Sequence, residues 1–293
     1  MKILGTGLDG LVGSRIVELL GDKYEFENLS ISTGVDITDR DVVLEKIKSS
    51  RAQIVLHLAA KTNVDGCELD KPLGEKGNAW RINVEGTRNV ADACLVSKKK
   101  LIYISTDFVF DGTREIYLEG DIPNPLNWYA KTKYEGEKIV QALKTPWIIT
   151  RIASPYRAQF ERLDFFRAIL KRLQEGLGVA AVTDHKFTPT FIDDIAFAID
   201  ALIKNNSEGI FHVVGSQSLT PFDATVLIAK EFNLDMSKIS QTTRTEFFNN
   251  RAPRSFQLAL NNDKIEKLGL KMKTLEEGLR EIKNQNAKGK SSS

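Results

Sequence analysis

Tyr129 and Lys133 stand four residues apart in NPLNWYAKTKYEGEKIV, where an amphipathic helix begins. Residues at i and i+4 lie one above the other on a helix face, so a phenol and an ammonium share one spot. A nearby cation favours phenolate over phenol, which would let Tyr129 give or take a proton near neutral pH. Taken alone, the pair reads more simply as a packed tyrosine beside a solvated lysine, because Tyr-x-x-x-Lys recurs by chance. A second hydroxyl strengthens the chemical reading. Thr106 ends the apolar run KKLIYIST, and a hydroxyl there could hydrogen-bond a carbonyl oxygen that gains negative charge. A threonine at a strand end is also a common turn cap.

The elements that must position these groups alternate. Short apolar runs (KILGTG, AQIVLHLAA, KKLIYIST, WIITRIA) read as buried parallel strands, and helical patterns such as GSRIVELLGD, RDVVLEKIKSS and NVEGTRNVADACLVS lie between them. This βαβ rhythm predicts an α/β, doubly wound, Rossmann-type parallel sheet. It changes near residue 155. The expected organisation is a nucleotide-binding part over 1–155 and a smaller C-terminal portion over 156–283 that completes a cleft, with strands able to return to the main sheet. The polar stretch 284–293 is expected to be disordered.

The first βα turn, GTGLDGLVGSRI, carries glycines at 5, 7, 10 and 13. Gly7, Gly10 and Gly13 would allow the tight turn, the approach of a pyrophosphate and close helix packing, while the helix amides at Leu11 and Val12 face the phosphates. An acidic ribose clamp would end the second strand about 20 residues on. The segment there reads SIST, with neither a carboxylate nor an arginine, so NAD(H) and NADP(H) both stay open. Asp36, followed by Ile37, is placed to meet the adenine amino group. Ligands of open α/β sheets lie beyond the carboxyl ends of the strands. LHLAAKTNVD points Thr62 and Asn63 there, and LIYISTDFVFDG points Ser105, Thr106 and Asp107.

Bulk properties narrow the field. The 293 residues suffice for one large α/β domain or a large domain with a smaller one, and 42% hydrophobic with 27% charged residues is ordinary for a globular protein. A net charge of +2 offers no case for nucleic acid or a membrane as partner. Cys67 and Cys94 match no redox or zinc spacing and read as buried thiols; three histidines, none paired at ligand spacing, give no metal site. The chain enters a strand at once without a signal-peptide pattern, so a cytoplasmic protein is the expectation.

Together, TGLDGLVG, LHLAAKTNVD, NVEGT, STDFVFDGT and PLNWYAKTKYEGEK resemble, in order and spacing, an extended short-chain dehydrogenase/reductase. The last two blocks, with FTPTFIDDIAFAI and RAPRSFQLALNNDKIEKLG, resemble the dTDP-4-dehydrorhamnose reductase branch. The resemblance implies an NAD(P)H-dependent reductase of a nucleotide-linked 4-keto sugar. Its catalytic group would be Thr106, Tyr129 and Lys133. Gly7, Gly10, Leu11, Val12, Asp36, Ile37, Ala59, Ala60, Lys61, Tyr129 and Lys133 would hold the cofactor. Thr62, Val64, Asp107, Phe108 and Ser154 would meet the sugar nucleotide, and self-association into a homodimer is compatible with this reading. Two positions depart from the branch: Phe108 replaces a tyrosine and Ser154 stands where a tryptophan is usual. The alternatives are another sugar-nucleotide epimerase or dehydratase, or a non-catalytic cofactor-binding subunit resembling methionine adenosyltransferase β. A dehydratase would want a second acid after Asp107, where this chain has Phe108.

Overall fold

The computed structural model describes residues 1–291. Six parallel strands form the central sheet: β1 (Lys2–Thr6), β2 (Glu25–Leu29), β3 (Ile54–His57), β4 (Lys100–Thr106), β5 (Trp147–Ile152) and, after three short strands, β9 (Gly209–His212). Their order is β2-β1-β3-β4-β5-β9. Successive side chains of a strand point to opposite faces, and here both faces are covered. Ile3, Ile54, Leu56, Ile102, Ile104 and Ile148 pack under helices Leu11–Leu20 and Ile192–Lys204. Leu4, Val55, Leu101, Tyr103 and Ile149 pack under Arg40–Ser49, Gly86–Ser97 and Trp128–Gln141. That two-sided burial is why the strands read as unbroken apolar runs.

The strand order reverses between β1 and β3, and a doubly wound sheet opens its ligand crevice at that point. The glycine turn follows β1 and Leu58–Thr62 follow β3, so both segments meet there.

The chain beyond β5 divides its allegiance. Helix Ile192–Lys204 and β9 return to the main layers. The remainder builds a smaller lobe with two parallel strand pairs, β6 (Pro155–Tyr156) with β8 (Thr190–Phe191), and β7 (Val179–Val182) with β10 (Ile239–Thr242). Its own core gathers Tyr156, Phe166, Phe191, Leu219, Ile228 and Leu279. Of the stretch 284–293 expected to be disordered, the part to Ser291 continues the last helix, Leu275–Ser291, and the final two residues lie outside the described part. Leu275, Leu279 and Ile282 bury its first turns in the small-lobe core. Once that seed exists, adding further polar residues to the helix is cheap. Gln285 also donates to Asp193 Oδ2 at 2.8 Å.

One ion pair ties the helix bearing Tyr129 to the sheet. Arg151 on β5 and Glu137 on the helix are 1% and 0% exposed and bond through both carboxylate oxygens, at 2.9 and 2.8 Å. Removing one partner leaves a buried charge unanswered. Arg151→Met is therefore expected to cost about 3–5 kcal/mol in urea unfolding, and Glu137→Leu/Arg151→Met to recover much of it. A single variant as stable as wild type would show that the pair is not structurally required.

Candidate active site

A cleft of about 1000 Å³ runs along the carboxyl ends of the strands. The glycine turn forms one wall, and its glycines serve different ends. Gly7 has φ +70°, and a Cβ on it would stand 2.9 Å from Ala59 N. A Cβ on Gly13 would stand 2.6 Å from Gly7 O and 2.7 Å from Leu8 Cα. Those two positions need glycine for the turn itself. Gly10 is different: its backbone is extended and a Cβ would meet only Gly7 O, at 3.2 Å. It caps helix Leu11–Leu20 with no side chain over the first amides. The bare cradle, open to the cleft, fits the pyrophosphate of a dinucleotide at a helix N-terminus.

The opposite wall carries the chemistry. Asn127 starts helix Trp128–Gln141 by accepting from Ala130 N at 2.9 Å, which fixes the phase of the face bearing Tyr129 and Lys133. Both side chains line the cleft and both are buried. Thr106 ends β4 and joins them. Its hydroxyl accepts from Phe108 N at 3.3 Å and donates to Asp107 Oδ1 at 3.0 Å, so it is a turn cap and a cleft residue at once.

The electrostatics correct one expectation. Burial drives the Tyr129 phenol well above its ordinary range, with Thr106 opposing and the Asp107 charge reinforcing. Lys133 does not supply the counterweight, because its ammonium donates to Ile104 O at 2.8 Å and sits 4.1 Å from the centre of the Tyr103 ring. Burial also brings Lys133 itself down to about 7, against the pull of Glu137. Desolvation outweighs the helical pairing, and Tyr129 is a protonated phenol at neutral pH. Asp107 is pushed up to about 7 by the same burial, with the Thr106 hydrogen bond opposing, and its Oδ2 is buried without a partner.

Of the expected cofactor positions, Gly7, Gly10, Leu11, Val12, Asp36, Ile37, Ala59 and Ala60 line the cleft with Tyr129 and Lys133. Lys61 does not: its ammonium turns to Asp70 at 2.6 Å. The expected substrate positions Thr62, Val64, Asp107, Phe108 and Ser154 all line it. Asn63 lines the cleft too but spends its side chain capping helix Val64–Glu68. Cys67 and Cys94 are free, buried thiols, and burial, with the Lys133 charge adding, holds His57 neutral, at about 3; Thr6 and Thr87 hydrogen-bond its two ring nitrogens.

Three features escape the sequence. Asn83, fully buried in a π turn at Arg81–Glu85, accepts from Lys61 N at 2.7 Å and donates to Lys61 O and to Thr132 Oγ1. It thereby locks the β3 exit to the helix between Tyr129 and Lys133. The only signal is a poor helix former inside a helical pattern. Residues Phe160–Phe165 close the cleft over the glycine turn side, where Arg157 donates to Leu11 O and Ser14 Oγ. Asp9 and Ser30 also line it, at the end of β2.

The family model of the RmlD substrate binding domain matches residues 1–287. The dTDP-4-dehydrorhamnose reductase of Aggregatibacter actinomycetemcomitans is 30% identical over 238 residues, covering 78% of this chain and 79% of that protein. Methionine adenosyltransferase 2 subunit beta of Bos taurus is 32% identical over 292 residues, covering 93% of this chain and 84% of that protein. Among solved structures, dTDP-4-dehydrorhamnose reductase from Bacillus anthracis in complex with NADP superposes with a TM-score of 0.89 at 30% identity, covering 97% of this chain and 99% of that one.

The contrast among the glycines is testable. Gly10→Val is expected to keep the wild-type circular dichroism and melting behaviour while losing dinucleotide binding by calorimetry, whereas Gly13→Val should fail to fold. Undiminished NAD(P)H affinity in a folded Gly10→Val variant would take the pyrophosphate away from this turn.

Proposed function

The chain belongs to the RmlD substrate binding domain family, and from that premise we propose that it is an NAD(P)H-dependent reductase of a nucleotide-linked 4-keto sugar. The observation that carries the reading is the meeting of Thr106, Tyr129 and Lys133 in one cleft with the open glycine cradle. Gly10 and the amides of Leu11 and Val12 would hold the pyrophosphate, and Lys133 would hold the nicotinamide ribose. When bound, the reduced nicotinamide supplies hydride to the sugar carbonyl carbon. Tyr129, kept protonated by burial, gives its phenolic proton to the carbonyl oxygen as negative charge develops there. For the Lys133 ammonium, carried on the same helix face one turn on, to stabilise the phenolate left behind, it must turn from Ile104 O. Thr106 directs its hydroxyl to the sugar carbonyl oxygen. To do so it must release Asp107 Oδ1, which is easiest while Asp107 is neutral.

Phe108 and Ser154 bear on which sugar is taken. Phe108 packs edge-on against Tyr129 with centroids 6.0 Å apart, so the ring that walls the phenol is retained without a hydroxyl. Ser154 offers no aromatic wall. Recognition of the sugar therefore differs from that of family members with both aromatic groups, while the reducing chemistry is preserved.

Tyr129→Phe removes the acid and keeps the ring. NAD(P)H affinity should change little, and reduction of 4-keto sugar nucleotides in single-turnover stopped flow should fall by about 10²–10⁴-fold. A wild-type protein that reduces no such sugar and is indistinguishable from Tyr129→Phe would instead be a cofactor-loaded regulatory subunit. The pH dependence adds an independent check. As pH rises through about 7, Lys133 loses its charge and Asp107 gains one, and both changes weaken Tyr129 as an acid. Log kcat/KM should fall as pH rises through about 7, and less steeply in Asp107→Asn. An unaltered slope in Asp107→Asn would clear Asp107 of any part in the step.

A further inference from the structure

The end of β2 is where a doubly wound fold meets the adenosine ribose, and the carboxylate found there is carried by a different segment. Gly7 N donates to Leu29 O at 3.3 Å and Leu8 N to Asn28 Oδ1 at 3.2 Å, which stitches the glycine turn to the end of β2. Asp9 follows directly. Its Oδ2 accepts from Ser30 Oγ at 2.9 Å and from Ser32 Oγ at 2.7 Å. Ser30 is set by its own turn: its N–H donates to Thr33 Oγ1 at 3.0 Å, Val35 N bonds back to Ser30 O at 2.8 Å, and Gly34 takes φ +79° to close it. Asn28 Nδ2 adds a bond to Ser30 Oγ at 3.2 Å.

We infer that Asp9 reads the adenosine ribose and selects NAD(H) over NADP(H); the inference rests on the dinucleotide-binding reading above. Both serine donors converge on Oδ2, and among the described residues no side-chain donor meets Oδ1. That oxygen is an acceptor for a ribose 2′-hydroxyl, a charge-assisted hydrogen bond. A 2′-phosphate would bring roughly −1.5 to −2 charges to the same place. Carboxylates accept only, and the two hydroxyls able to serve phosphate oxygens already donate to Asp9. The cleft lining from this stretch (Leu29, Ser30, Ile31, Val35, Asp36, Ile37) adds a second carboxylate and no cation. The lining cations, Lys133 and Arg162, belong to the helix bearing Tyr129 and to the Phe160–Phe165 stretch. The Ser32 hydrogen bond is the leading influence holding Asp9 below the usual carboxylate range, with burial opposing and Ser30 adding, so the group is an anion throughout the neutral range.

Calorimetric titration of the full chain with NADH and with NADPH tests this without recourse to turnover. Wild type should bind NADH tighter by about 10-fold or more. Asp9→Asn, which keeps an acceptor for the serines, should narrow the gap chiefly by gaining NADPH affinity. Raising ionic strength from 0.01 to 1 M shortens screening from about 30 to about 3 Å, so the gap should shrink with salt in wild type and little in Asp9→Asn. Equal or tighter NADPH binding by wild type, or a gap untouched by Asp9→Asn, overturns the assignment and leaves the reductase reading standing. Binding of neither dinucleotide overturns both.

Discussion

The carboxylate of Glu137, sealed from solvent, is the point on which the active geometry depends. Tyr129, Lys133 and Glu137 follow one another at four-residue spacing, forming a single stripe along the helix. At the inner end of that stripe Glu137 takes two bonds from Arg151 of β5 and one, at 2.5 Å, from Ser105 of β4. Ser105 immediately precedes Thr106. One carboxylate thus sets the helix against both strands and fixes the Tyr129 phenol relative to the Thr106 hydroxyl. Phe110 lies 4.9 Å from the Arg151 guanidinium and Glu119 O accepts from it. With every polar atom of the pair answered, the ion pair behaves as a locating pin. Apolar residues could fill the same volume but would not specify the same register.

The pin has an electrostatic consequence. Anchoring the helix this deeply buries Tyr129 and Lys133, and burial disfavours the charged form of each. The phenol is driven up and the ammonium down until the lysine titrates near 7. Glu137 pulls Lys133 back upward, so the residue that creates the burial also limits its effect. The lysine holds Ile104 O before any ligand arrives, and Tyr129 is consequently an acid awaiting a base rather than a phenolate awaiting a proton. That is the resting state a ketone reductase requires.

How much of this was legible in the sequence depended on the range of the interaction responsible. The central strands showed as apolar runs because two covered faces leave no polar alternation. The glycine turn and the Tyr129–Lys133 spacing are local patterns and survived folding unchanged. Interactions across the chain were invisible. Asp9 reaches Ser30 over 21 residues because the turn is stitched to β2, and a search for a carboxylate at the end of that strand finds only SIST. Lys61 looked like a cleft residue until Asp70, nine residues on, claimed its ammonium. The pull of Lys133 on the Tyr129 phenol was overestimated because the helical pairing is local and the desolvation that overrides it is tertiary. The polar tail was read from composition, which cannot weigh the three apolar side chains that seat the last helix.

On the proposed reading, the substrate end is the wall that bears Phe108 and Ser154. It is assembled from both lobes: Asp65 accepts from Arg254 and from Ala252 N, Asn127 donates to Pro253 O, and Ser255 donates to Phe110 O. The Arg254 guanidinium lies 5.9 Å from the Phe108 ring, whose edge contact with Tyr129 continues the same packed layer. None of these contacts uses a hydroxyl on residue 108. The ring, with Cys67, Ala79, Val64 and Trp128, packs around Tyr129 and contributes to the burial that keeps the phenol protonated. Ser154 is held at φ +39°, a left-handed conformation that costs roughly 1–3 kcal/mol at a non-glycine residue. Its carbonyl nevertheless accepts from Thr190 N, at the junction where the chain enters the small lobe. The backbone at that position is thus dictated by joining the lobes, and its side chain is left free to vary with the ligand. On the proposed reading, acid chemistry and sugar recognition would reside in separable parts of the same wall, so that one could change without dismantling the other.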